Sequence, residues 1–189
     1  MKGSRLVALL ALSLLALALA GCGGDGGTVE TTASEDAFDR AFIDAMVPHH
    51  EAAIEMVEAA RAAGLSQPEL VEIADAIVAA QQEEIEQMKG YREWWYGSAE
   101  IDPEGAAALG LSDEEMGMHH DASALEHADD VDATFAAMMA DHHEGAITMA
   151  RLALDRAEHR ELKDLAERII DAQEREIAVM EEHAGMPHS

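Results

Sequence analysis

Apolar residues recur every three or four positions in a stretch that Ser34 opens and Gly64 closes, which is the spacing of an amphipathic helix. Ser34 is a favourable N-cap residue and Gly64 is a favourable helix end. A second stripe follows, in which Ser66 and Glu69 have the spacing of a capping box and Gly97 marks the end. The short connection between the two stripes predicts an antiparallel helical hairpin.

The second half of the chain repeats this hairpin. The segment Phe42–Val57 aligns with Phe135–Ala150 at a spacing of 93 residues, so that a paired histidine and the glutamate after it fall on their counterparts. Two further helices are therefore predicted, over residues 132–157 and 160–184. Such a repeat indicates a duplicated two-helix unit with a histidine pair in each copy.

Between the hairpins the helical pattern weakens, because Pro and Gly residues interrupt it. Ser112 and Glu115 offer one small cap there, so a long crossover with one short helix is expected. These features predict an all-α, ferritin-like four-helix bundle made of two repeated helical hairpins with a long middle crossover. The predicted parts are the repeats 36–96 and 130–184, the crossover 97–129, and the single domain 34–189 that contains them.

The amino terminus has the pattern of an export signal. Lys2 and Arg5 precede an apolar run that is too short for a confident membrane span, and the run ends at the single cysteine, Cys22. This ending resembles a bacterial lipobox, which predicts a signal over residues 1–21 and a lipidated Cys22 followed by a flexible tether, 22–33. The alternative is an ordinary secretory signal with a chance cysteine. The expected location is the extracytoplasmic face of the cell membrane, with the lipid as the sole attachment.

The formal charge of −27 at pH 7 narrows the range of partners. So acidic a surface repels nucleic acid and anionic lipid head groups, and it favours cations as small partners. The alternative is that the acidic residues only keep an exported protein soluble. No protein partner is indicated.

The paired histidines lie on the predicted core stripes. A hairpin that turns near residue 65 brings His49 and His50 level with Gln81 and Glu84. The second hairpin does the same for the residues His142, His143, Gln173 and Glu176. Polar groups in a core are costly unless they are paired or bind a metal. Either a metal site or a set of histidine hydrogen bonds to Gln and Glu that ties the helices together is expected.

The neighbours of the histidines indicate which metal would bind. The Glu-x-x-His signature of di-iron bundles is absent from the sequence, whereas Met-x-x-His occurs four times. In a helix, this spacing places the thioether of Met46 beside His49 and that of Met139 beside His142. Thioether and imidazole without a thiolate suit copper, above all Cu(I), although another transition metal stays possible and buried Met is also an ordinary core residue.

Two further groups of the same residue types lie outside the predicted bundle core. The first, in the crossover, comprises Met116, Met118, His119 and His120, and the second, in the tail, comprises His183, Met186 and His188. Both segments are expected to be mobile, so they would collect metal without being preorganised for it. The alternative is that each is a solvated polar stretch.

The two repeats are not equivalent beside the histidines. Pro48 precedes His49 in the first repeat and is expected to kink the helix, whereas Asp141 takes its place in the second repeat. A zinc protease motif would need a second histidine at position 54, which is Ile54, so that class is excluded.

These residues carry a family resemblance. The stretches MVPHHEAAIEMV and MADHHEGAITMA, each followed by an Ile-rich helix with Gln81 or Gln173 near its end, resemble the two halves of the domain of unknown function 305 family. The resemblance spans about residues 36–182. It implies a ferritin-like four-helix protein, and the family includes exported copper-binding members.

The leading expectation is a lipid-anchored, extracytoplasmic copper-binding protein for sequestration, transfer or tolerance. Its core ligands would be the four paired histidines, with Met46, Met139, Glu84 and Glu176 as neighbours. A ferritin-like metal-dependent oxidoreductase at the same site, and a structural envelope protein with hydrogen-bonded core histidines, are the alternatives. An enzymatic activity is not indicated by any residue pattern.

Overall fold

The computed structural model describes the backbone of residues 30–184 and the side chains of residues 37–184. It contains four long helices, α1 (Glu30–Ala63), α2 (Pro68–Tyr96), α3 (Val131–Arg156) and α4 (Arg160–His183). Two short 3₁₀ helices, Gly105–Leu109 and Ala122–His127, lie between α2 and α3. The predicted all-α bundle of two helical hairpins with a long crossover is confirmed. The predicted signal, Cys22, Met186 and His188 lie outside the described residues.

Two of the predicted helix caps are wrong. Helix α1 begins at Glu30, so Ser34 lies inside the helix and does not cap it. At the start of α2 the N-cap is Gln67, whose side chain makes no capping hydrogen bond. Ser66 instead donates its backbone N–H and its hydroxyl to the carboxylate of Asp132, each at 2.8 Å. A carboxylate brought from the other hairpin has replaced the local capping box.

The helix order in space explains where the core and its openings lie. Helix α1 packs on both α2 and α3, and α3 packs along α4, whereas α2 and α4 make few contacts with each other. A groove of about 910 Å³ runs between α2 and α4, and Glu84 is part of its lining. The bundle is therefore open on the side where α2 and α4 face each other.

The crossover covers the other side, and it is packed more closely than expected. Leu109, Met116 and Leu125 have exposed fractions of 4%, 8% and 0%. The crossover holds two 3₁₀ helices instead of one short helix, and the predicted cap is confirmed, since Ser112 N–H donates to Glu115 Oε2 at 2.9 Å. The crossover was expected to be mobile because it lacks a helical pattern. The burial of these apolar residues is at odds with that expectation, since they anchor the crossover to the bundle although they belong to no periodic stripe.

A buried ion pair fixes the point at which the crossover leaves α2. Arg92 donates to Asp44 of α1 at 2.6 Å, and both side chains are almost fully buried. The same carboxylate accepts the backbone N–H of Asp102 at 3.0 Å. A buried charge needs such partners, so the pair ties the chain after α2 to α1. Among the described residues, no helix combines the length and the apolar composition that crossing a membrane requires.

Candidate metal centre

The four paired histidines meet at the middle of the bundle. His49 and His50 come from α1 and His142 and His143 from α3, and none is more than 2% exposed. The rings of His49 and His142 lie against each other, with centroids 3.7 Å apart and planes inclined at 34°. Within each pair the centroids are 6.2 and 6.3 Å apart, so the two repeats present nearly the same arrangement. These four residues are called the histidine quartet below.

The outer member of each pair is held by a glutamate. His50 Nε2 donates to Glu84 Oε2 at 2.8 Å, and His143 Nε2 donates to Glu176 Oε2 at the same distance. The side chains of Glu84 and Glu176 are 16% and 15% exposed, so each carboxylate reaches from the protein surface to a fully buried ring. The heights predicted from the hairpin geometry are therefore correct for these residues, and the glutamates contact the histidines through Nε2.

His49 has a different partner, which the crossover provides. Its Nε2 donates to the backbone carbonyl of Met116 at 2.8 Å. A carbonyl or carboxylate at Nε2 fixes the proton there, which leaves the Nδ1 lone pair of the same ring free. Three of the four imidazoles are thus set in one tautomer by contacts at the far edge of the ring.

Several buried polar atoms at this level have no hydrogen-bond partner. They are Nδ1 of His49, His50 and His143, both ring nitrogens of His142, both side-chain polar atoms of Gln81 and Oε1 of Gln173. Native cores contain few such atoms, and a cluster of them calls for a specific explanation. The donor set, made of imidazole nitrogens and amide oxygens, fits a bound transition-metal ion.

Burial keeps the inner rings uncharged. Loss of hydration, together with the smaller effect of the neighbouring His50, lowers the pKa of His49 from 6.5 to about 3. The same desolvation, with the proximity of His49, holds the pKa of His142 well below its usual value. Metal ligation needs the neutral imidazole, so no proton has to be displaced from these rings near neutral pH.

The methionines predicted as neighbours are also buried. Met46 and Met139 are fully inaccessible and lie one helical turn before His49 and His142. They place a thioether on the same helix face as each inner histidine. Helix α1 continues through Pro48 to Ala63.

The residues of the predicted crossover group separate in the structure. Met116 is turned into the core, Met118 is half-buried, and His119 and His120 reach the surface, where both contact Asp141 of α3. Asp141 was not among the sequence candidates, although its place in the repeat, opposite Pro48, distinguished it. In the tail, His183 contacts Glu69 at 3.0 Å, and the rest of that group lies beyond the described residues.

The ligand atoms converge more closely at the surface than in the core. Over residues 37–184, one set of three His, Cys, Asp or Glu residues has ligand atoms all within 4.8 Å of one another, namely His119, His120 and Asp141. The nitrogen atoms of the histidine quartet form no such set. A metal in the core would therefore use fewer imidazole nitrogens at once, together with a thioether or an amide oxygen.

A family model matches most of the chain. The model described as Domain of unknown function (DUF305) covers residues 39–184, which include both hairpins and the histidine quartet. The chain belongs to the DUF305 family. A comparison with curated proteins gives no match.

Several solved structures have a similar fold. CopM in the Cu(II)-bound form is 32% identical, over 77% of this chain and 95% of that one, with a TM-score of 0.67. CopM in the Cu(I)-bound form is 31% identical over 76% and 93%, with a TM-score of 0.64. A DUF305 protein of Streptomyces coelicolor that is inferred to be secreted is 25% identical over 82% and 99%, with a TM-score of 0.69. The fold of this chain is thus similar to that of CopM, solved with copper, and to that of a DUF305 protein inferred to be secreted.

Proposed function

We propose that this DUF305 protein binds copper outside the cytoplasm, for sequestration, transfer or tolerance, and that the histidine quartet supplies its core ligands. One observation carries the proposal. In His50 and His143 the Nε2–H is held by a glutamate while Nδ1 is buried and unpartnered. Metal-ligating histidines regularly donate their other ring N–H to a carboxylate or a carbonyl in this way, which fixes the tautomer and raises the basicity of the ligating nitrogen.

The structural alternative explains less of the geometry. Hydrogen bonds to Glu84 and Glu176 account for one nitrogen of each outer histidine, as a tie between helices would. They do not account for His142, whose two ring nitrogens are both buried without a partner. Leaving a buried polar group unsatisfied costs about 1–3 kcal/mol, so a structural role alone would not favour a histidine at this position.

The donor types support copper over other metals. Neutral imidazoles beside buried thioethers, without a thiolate among the described residues, suit Cu(I) better than magnesium or calcium, which prefer oxygen. The similarity to CopM, solved with Cu(I) and with Cu(II), supports the same choice. Bound here, copper would be cargo held by imidazole and thioether groups, and the surrounding apolar helices would exclude water from it.

The proposed location rests on the amino terminus. The lipobox-like sequence that ends at Cys22 supports export and lipid anchoring, and the similarity to a DUF305 protein inferred to be secreted supports an extracytoplasmic site. An acidic domain held at a membrane surface by a lipid would meet metal cations before they reach the bilayer.

A competition titration with a Cu(I) chelator tests the proposal. The mature chain should bind Cu(I) with at least one tight equivalent, and His49→Gln combined with His142→Gln should remove it. His127→Gln, an exposed crossover histidine outside the quartet, is the matched control and should bind as wild type does. If the double variant folds, as judged by its helical circular dichroism, and keeps the tightest equivalent, the core site is refuted.

A further inference from the structure

His119, His120 and Asp141 form a compact group on the surface. His120 Nε2 lies 2.5 Å from Asp141 Oδ2, and His119 Nε2 lies 3.2 Å from the same oxygen. The two rings have centroids 4.1 Å apart. Both imidazoles therefore point at a single carboxylate oxygen, and one ligand atom from each residue fits within 4.8 Å of the others.

The backbone around this group is held in place by close contact with α3. Gly117 has a φ of 67°, and a Cβ atom there would lie 2.9 Å from the Asp141 carbonyl oxygen and 2.9 Å from His142 Cα. Only glycine permits this conformation and this approach without strain. Met118 N–H closes the turn by donating to Asp113 O at 2.8 Å. The two histidines are thus positioned by the fold before any ligand arrives, which lowers the entropy cost of binding.

The geometry does not suit an ordinary ion pair. One protonated imidazole would satisfy the carboxylate, and a second positive ring at 4.1 Å would repel the first. With both rings neutral, two Nε2 protons would compete for one carboxylate oxygen, whereas in the other tautomer both Nε2 lone pairs can bind a cation beside that carboxylate. A divalent cation in that region satisfies all three groups at once, and the net charge of −27 favours its approach.

The donor set also differs from that of the core. Met116, which the Met-x-x-His spacing pairs with His119, is 8% exposed and packs in the hydrophobic core, and Met118 is half-buried. The exposed group therefore offers two imidazoles and one carboxylate. Ligands of this type favour borderline divalent ions such as Cu(II) and Zn(II) over Cu(I). The 43%, 21% and 45% exposure of the three side chains leaves room for water as a further ligand.

We propose that His119, His120 and Asp141 form a second, solvent-accessible site for a divalent transition-metal ion, independent of the histidine quartet. The first repeat offers no counterpart to this carboxylate, because it has Pro48 where the second has Asp141. It would hold Cu(II) or Zn(II) at the surface, in exchange with solvent, whereas the quartet would hold copper out of contact with water.

Titrations of the mature chain with Cu(II) and with Zn(II) test this site. Asp141→Asn and the double variant His119→Gln with His120→Gln should each weaken or remove one divalent equivalent, by at least about tenfold in Kd. His127→Gln, in the same crossover, should leave that equivalent unchanged. Electron paramagnetic resonance at one Cu(II) per chain should show two imidazole nitrogens in wild type, and these should be lost in the double variant.

Two outcomes separate this site from the core. The variant His49→Gln with His142→Gln should keep the divalent equivalent, and Asp141→Asn should keep the tight Cu(I) equivalent, so each proposal can fail alone. The second site would be overturned if wild type, Asp141→Asn and the variant His119→Gln with His120→Gln all bound Cu(II) with the same stoichiometry and affinity, and all bound Zn(II) alike. Because all three residues are partly exposed, their variants should keep the helical spectrum of wild type, which can be checked directly.

Discussion

The ring of His49 lies on the ring of His142, with centroids 3.7 Å apart, where α1 of the first repeat packs on α3 of the second. Two imidazoles in such contact must both be neutral, because burial and mutual repulsion oppose a charge on either ring. The uncharged state of these two rings affects the pH dependence of folding, the metal affinity and the stability of the protein.

The free energy of unfolding of the metal-free protein should decrease as the pH is lowered from about 6.5 to about 3. The unfolded chain protonates His49 near 6.5, whereas the folded chain resists protonation until about 3. The unfolded state therefore binds more protons across this window, and each such histidine lowers the free energy of unfolding by up to about 1.4 kcal/mol per pH unit. Urea unfolding at pH 7, 6 and 5 in the presence of a chelator measures the slope.

Variants are needed to isolate the contribution of the buried histidines, because carboxylates also titrate at the low-pH end of this window. His142→Gln should show a shallower slope between pH 6.5 and 5 than wild type. His127→Gln, which removes an exposed histidine, should leave the slope unchanged. A His142→Gln slope equal to that of wild type would contradict the prediction.

Copper should raise the melting temperature. A ligand that binds only the folded chain adds RT ln(1 + [L]/Kd) to the free energy of unfolding, which is about 2.7 kcal/mol at a ligand concentration a hundredfold above Kd. Melting curves with Cu(I), Cu(II), Zn(II) and Fe(II) should show the largest shift with copper. An unchanged melting temperature with all four ions would favour hydrogen-bonded structural histidines.

The glutamates should tune metal affinity without serving as ligands. Replacing Glu84 by Gln weakens the acceptor at His50 Nε2 and makes Nδ1 a poorer donor to metal. Loss of such a supporting group costs about 10–100-fold in affinity. A Cu(I) competition assay should show this for Glu84→Gln and Glu176→Gln. Glu86→Gln, which changes an exposed carboxylate on the same helix, serves as the control, and an equal loss in that variant would point to bulk charge instead.

Gly145 should be required where α3 meets the crossover. A Cβ atom at this position would overlap the backbone carbonyl of Met116, the group that accepts from His49. Overpacking of this kind costs typically about 1–3 kcal/mol, so Gly145→Ala should lower the midpoint of urea unfolding. Gly90→Ala, in helix α2 with open space around it, should instead stabilise by about 0.5–1 kcal/mol. If Gly145→Ala raised the midpoint of urea unfolding as Gly90→Ala is expected to, the contact would be shown to be unimportant.

Membrane attachment should depend on Cys22, a residue outside the described part of the chain. Cys22→Ser should release soluble protein or leave an uncleaved precursor, because the proposed lipid would be the attachment. Metabolic labelling with a fatty-acid probe measures this directly. Equal labelling of wild type and Cys22→Ser would exclude the lipoprotein assignment.

The sequence predicted the bundle and the His–Glu pairing because both follow from periodicity and from counting residues around a short turn. His50 meets Glu84, and His143 meets Glu176, as that counting requires. Local capping was less predictable. Ser66 and Glu69 have the right spacing, but Asp132 arrives from the other hairpin and accepts the same donors.

The crossover was the least predictable part, because its conformation depends on long-range contacts. The turn at Gly117 forms against the backbone of α3, and no local pattern indicates that contact. Asp141 shows the same limitation. Its difference from Pro48 was visible in the repeat, but its contact with His119 and His120 exists only after the crossover has packed.

The close approach of Met116 to Gly145 also limits how symmetrical this protein can be. Position 145 corresponds to Ala52 in the first repeat, where an alanine is accommodated. A protein assembled from two identical copies of the first hairpin would carry a methyl group at the place where the crossover carbonyl must pass. The single crossover would then be displaced, and with it the acceptor that orients His49. Divergence between the two halves is therefore a steric requirement of joining them with one connecting segment.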